Sequence, residues 1–150
     1  MSPKAVKSDQ KLLRQVVGRA LSGKGAHVAS QGVFSGLDAK AAGVRPAGLP
    51  HSLFQLLRHI VFWQDWVIQW REGAKPQVPK HAAGSWPRET SPANEADWTD
   101  CVRRFQNGLK ELERCSQDGD LLAKSGKQSR LEMLHAIASH NSYHFGRPCC

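Results

Sequence analysis

Apolar positions in this chain recur every three or four residues in four separate stretches, and nowhere does a period of two persist. That rhythm predicts helices and no sheet. The first stretch runs from about Asp9 to Ser22, with Ser8 placed as its N-cap and Gly23 and Gly25 as its stop. Leu12, Leu13, Val16, Val17, Ala20 and Leu21 supply its apolar positions. The segment from Lys24 to Pro50 reads as loop, with a short helix around Ser30 to Ala41 that tucks Val33, Phe34 and Leu37 inward. The second long helix has the clearest start. Ser52 and Gln55 have capping-box spacing, and the pattern continues to about Glu72 and ends at Gly73. Leu53, Leu56, Ile60, Trp63 and Val67 form the centre of its apolar face. His59 lies near the edge of that face, beside Gln55, Phe62, Trp63, Trp66 and Trp70.

From Ala74 to Thr90 the chain carries Pro76, Pro79, Gly84 and Pro87, and reads as a long irregular connection. The third helix is expected to open with Ser91 as N-cap and Pro92 in the first turn. Trp98, Val102, Phe105, Leu109 and Leu112 then alternate steps of four and three, which is a bundle seam. The fourth helix starts at a second capping box, Ser129 with Glu132. On it Met133, Ile137, His140 and His144 follow one stripe, beside Leu134, Asn141 and Phe145. These elements predict an all-α fold, a four-helix bundle with long crossover connections, in one domain over residues 1–150.

Composition changes the picture little. The chain has 150 residues, 40% hydrophobic and 23% charged, which suits one domain with a core of its own. Its basic start has no apolar run behind it, so no signal peptide is read, and Ile60-Val61-Phe62-Trp63 is far too short to span a bilayer. The expectation is a cytoplasmic protein without a membrane partner. The net charge of +8 is spread along the chain, without an RNA-binding or helix-turn-helix motif, so it is read as a solvated surface and a nucleic-acid partner is not expected. Cys101 and Cys115 are read as passive reduced thiols.

Chemistry enters through the histidines. His140 and His144 stand four apart, so on a helix both imidazoles share one face and form half of a metal site. His59 is the candidate third ligand. His51 competes with it on paper but precedes the helix cap, and is read as a residue of the helix start. His27, His81 and His135 fall in a turn, in a loop and off the stripe, and are read as solvated or structural. Trp63 and Trp66 could wall a substrate pocket, and Gln55 and Asn141 could orient imidazoles or a bound group. Each of these four could equally be ordinary packing or a buried amide. Three neutral imidazoles suit a divalent cation, zinc or nickel first, but do not choose between them. No carboxylate is placed as a general base, since Asp65 points away from His59.

The stretch from Pro50 to Ile60 followed by Trp63-Gln64 resembles the second-helix signature of the DinB-like (DinB/YfiT) superfamily. His140-x-x-x-His144-x-x-Gly146 resembles that family's last-helix motif. Smaller similarities are Gly25-Ala26-His27-Val28 and Glu95-Ala96-Asp97-Trp98. The resemblance implies a four-helix bundle in which His59, His140 and His144 hold a divalent metal. It also implies a thiol-dependent S-transferase or a related metal-dependent enzyme, with a low-molecular-weight thiol and a small electrophile as partners. The alternative is a non-catalytic, stress-related binding or assembly module with structural or vestigial histidines. Relatives continue the last helix beyond its glycine, whereas here Arg147, Pro148, Cys149 and Cys150 follow. That departure predicts a frayed turn at His144 and an uncovered part of the bundle, hence either a truncated, partly degenerate member or coverage by the second subunit of a homodimer.

Overall fold

The computed structural model describes residues 3–24 and 29–146. Four long helices carry the fold: α1 (Pro3–Ser22), α3 (Leu53–Arg71), α4 (Glu95–Gln117) and α5 (Arg130–Gly146). A short α2 (Ala39–Gly43) lies in the first crossover. The architecture is the all-α bundle that the periodicity predicts. α3 packs against α4 and α5, and α1 packs against the same two helices from the other side. α1 and α3 therefore stand on one diagonal, and the chain must cross the bundle between them.

Most helix starts follow local chemistry. Ser52 caps α3 with its hydroxyl accepting from Gln55 N–H, while Gln55 reaches back to Ser52 N–H, and both arms of the box are present. Ser129 and Glu132 make the same exchange at α5. α4 starts three residues later than expected. Asn94, not Ser91, is its N-cap, accepting from Asp97 N–H at 3.0 Å, and the Asp97 carboxylate accepts from Ala93 N–H at 2.9 Å. Asn94 and Asp97 thus satisfy two donors that a Ser91 cap would leave open. α1 begins at Pro3, so Ser8 is interior to a helix and caps nothing. The helix expected around residues 30–41 is split into a 3₁₀ turn (Ser30–Gly32) and α2, which Asp38 caps. Gly36, at φ +78°, takes the chain between them through a conformation that favours glycine.

The core has two parts. One gathers Phe34, Phe54, Leu57, Ile60, Trp98, Phe105, Leu109 and Phe145. The other gathers Val17, Leu21, Val67, Leu112, Leu121, Met133, Leu134 and Ile137. Only one apolar stripe of α1 joins it. Leu13, Val17 and Leu21 face inward, whereas Leu12 and Val16, about 100° round the helix, are 59% and 56% exposed. The physical reason is that α1 has neighbours on one side only. A two-residue hairpin, β1 (Lys124–Ser125) with β2 (Gln128–Ser129), closes the turn before α5 and is an addition to the helical expectation. No helix among the described residues is long and apolar enough to cross a membrane.

Candidate metal centre

The capping box fixes where α3 begins, and seven residues later the helix presents His59 toward α5. From α5, His140 and His144 stand one turn apart, with ring centroids 4.5 Å from each other and 5.0 and 4.9 Å from His59. One ring nitrogen from each of the three lies within 4.8 Å of the others. The Nε2 atoms of His59 and His140 approach to 3.1 Å. Two nitrogens that each lie about 2.0–2.1 Å from one ion stand about 3 Å apart, so this spacing fits shared coordination. The expected fraying is not found. α5 stays helical through Gly146, and His144 is buried. Arg147, Pro148, Cys149 and Cys150 lie outside the described residues, as do Gly25, Ala26, His27 and Val28.

Hydrogen bonding settles one tautomer. A carbonyl can only accept, so His59 Nδ1–H donates to Ser85 O at 3.1 Å and Nε2 keeps its lone pair. At His140 the Asn141 Oδ1 lies 3.5 Å from Nδ1, which favours the same tautomer. The His59 Nε2 lone pair therefore faces His140 Nε2, where it can accept from the Nε2–H tautomer of His140 or, with the other tautomer, share a cation with it. Electrostatics point the same way. Burial lowers the His59 pKa to about 4, the Ser85 carbonyl opposing and nearby His140 and His51 adding to the fall. Burial likewise lowers that of His140. Both rings are therefore neutral at neutral pH, the form in which an imidazole can bind a metal.

These shifts carry a pH prediction. An unfolded histidine takes its proton near 6.5, and folded His59 only near 4. Between those values the unfolded chain binds more protons, so stability falls as pH falls. The contribution of His59 is complete above pH 6.5 and is lost by about pH 4, amounting to up to about 3 kcal/mol in metal-free protein. Urea midpoints measured from pH 7 to 4, beside those of His59→Gln, test this. Equal pH slopes in the two proteins would refute it.

The other expected site residues separate. Trp63 meets the cluster edge-on, 6.5 Å from His59 and 6.3 Å from His140. Trp66 instead lines a groove of about 590 Å³ between α3, α4 and the connector, with Arg58, Asp65, Trp86, Asp100 and Arg104. Asp65 accepts from Arg104 at 2.9 Å, on that side. Gln55 spends its amide on Ser52 N–H and Pro87 O. Asn141 is buried beside His140, and its Nδ2 has no hydrogen-bond partner among the described residues. Burial pushes the thiols of Cys101 and Cys115 up to about 11, in keeping with passive roles. His81 and His135 are exposed.

Two residues of the centre have no counterpart in the sequence reading. Ser85 supplies the carbonyl on His59, and Trp86 stacks on the His59 ring at 3.9 Å with 7° between planes. His51, read as a residue of the helix start, stacks on the opposite face of Trp86 at 3.7 Å and 13°. The proline-rich composition of the connector signals only irregular backbone, and nothing in it marks which carbonyl meets a helix.

A family model described as the DinB superfamily matches residues 25–147. No curated protein matches the chain, and no solved structure does.

Proposed function

The chain belongs to the DinB superfamily, and from that premise and the convergent imidazoles we propose that it is a divalent-metal-binding protein with His59, His140 and His144 as ligands. The observation that carries the reading is the 3.1 Å approach of two Nε2 atoms, one of which has its lone pair fixed toward the other. Held by three neutral imidazoles, a zinc or nickel ion keeps its full charge and supplies Lewis acidity that lowers the pKa of a thiol or a water. The finer reading is a thiol-dependent S-transferase acting on a small electrophile. Trp63 and Trp86 border the rings, and apolar surface beside the site would strengthen its interaction with an anionic sulfur. Asn141 keeps an amide donor for a bound group.

A second reading, metal binding without catalysis, draws on one observation. Among the described residues, the group that could hold an ion consists of three histidines and no carboxylate. Elemental analysis of protein purified without a histidine tag, followed by thiol-transfer assays, tests both. Near-stoichiometric zinc or nickel with thiol consumption supports the transferase, and metal without turnover supports the second reading. Protein that takes up no zinc, nickel or cobalt overturns both.

A further inference from the structure

One face of α3 is tied to the connector by three side chains that donate to three carbonyls. Ser52 Oγ–H donates to Thr90 O at 2.5 Å, Gln55 Nε2–H to Pro87 O at 3.1 Å, and His59 Nδ1–H to Ser85 O at 3.1 Å. The donors ascend the helix at i, i+3 and i+7, which is one face. The acceptors descend from 90 to 87 to 85, so the connector runs antiparallel along the helix. The last rung is a candidate metal ligand.

Trp86 is inserted beside that rung. Its indole lies between the imidazoles of His51 and His59, nearly parallel to both. Its backbone N–H donates to Ala83 O at 3.1 Å, and the neighbouring Ser85 hydroxyl donates to Ala82 O, which fixes the 3₁₀ turn (Ala82–Ser85) that delivers both residues. The need for such a device follows from the side chain. The χ2 torsion of histidine is broad, so helix geometry alone does not set the direction of Nε2. A bond to Nδ1–H selects the tautomer only while the ring stays in line with the carbonyl, and one bond does not by itself hold the ring there. A flat surface against the ring removes that freedom.

We propose that Trp86 is a positioning residue of the centre: intercalated between His51 and His59, it holds the His59 ring in the plane that aims Nε2 at His140, while adjacent Ser85 selects the tautomer. The metal arm of this inference rests on the metal-binding reading, and the ring-orientation arm stands without it. The connector is thereby part of the centre, although it supplies none of the three imidazoles.

The test uses wild type, Trp86→Ala, Trp86→Phe and His51→Ala. In metal-free protein, long-range ¹H–¹⁵N correlation reads the His59 tautomer. Wild type is expected to show a single Nδ1–H form, and Trp86→Ala a mixture. Cobalt titration against a competing chelator reads affinity, and the visible cobalt spectrum reads ligand geometry. Trp86→Ala is expected to weaken affinity about 10–100-fold and to change the spectrum. Trp86→Phe, which keeps a flat ring, should recover most of both. His51→Ala should shift both readouts in the same direction by less, and it decides the matter if Trp86→Ala does not fold. Unchanged tautomer, affinity and spectrum in the folded variants overturn the inference. A wild type that shows the single tautomer yet binds no cobalt overturns the metal reading instead, and leaves the positioning of the ring standing.

Discussion

His59→Ala is expected to lower metal affinity by at least about 100-fold, since changes outside the ligand set already cost 10–100-fold. The site has three protein nitrogens, and α3 supplies a single one of them. Without it, only the two imidazoles of α5 remain as ligands. The variant also loses the bond to Ser85 O and the stack on Trp86, leaving a buried carbonyl without its donor. His140→Ala removes a ligand too but keeps both of those contacts, so it should match the loss of affinity with a smaller loss of stability. His81→Ala, at an exposed position, is the control. Competitive chelator titration together with metal content checks the set. Retention of stoichiometric metal by His59→Ala would refute its role as ligand.

Phe105→Ala is expected to destabilise the fold by about 3–5 kcal/mol, the range for emptying a packed aromatic site. Phe105 is fully buried, and its ring meets Phe34 edge-on at 5.4 Å and Phe145 at 5.9 Å. These three rings come from α4, the first crossover and the last turn of α5. The cavity would thus open where three segments meet, and none of them can fill it without breaking another contact. Phe145 follows His144 directly, so the variant should also weaken metal binding although it touches no ligand. Half-buried Val102 on the same helix gives the contrast, with a loss of about 1 kcal/mol or less on truncation to alanine. Urea unfolding of both variants checks the pair. A loss below about 1.5 kcal/mol for Phe105→Ala would mean that the cluster is looser than its packing indicates.

What the sequence made legible was local or periodic. The Ser52–Gln55 and Ser129–Glu132 boxes are written in residue type and spacing, and both form. The His140–His144 pair follows from helical pitch. Its meeting with His59 was implied by family resemblance, because spacing within one helix says nothing of another. The expected α4 start is three residues early because Ser91 and Asn94 each offer a cap, Pro92 favours the former, and only the reciprocal partner Asp97 selects between them. Which apolar positions of α1 reach the core is not legible, since periodicity does not reveal on how many sides a helix has neighbours. Ser85 stayed hidden for a deeper reason. Its contribution is a main-chain oxygen, which every residue possesses, so only the docked path of the connector distinguishes it.

The division of candidate donors between the helices, one on α3 and two on α5, has a consequence for how a bound ion would escape. An excursion that lifts the last two turns of α5 as a unit would remove both of its rings in one event and leave a bound ion with a single protein ligand. Residence time is then governed by the breathing of a single segment rather than by stepwise release. The rate of metal dissociation should accordingly rise and fall with amide exchange in the last turns of α5, and a dissociation rate indifferent to that exchange would indicate another route out.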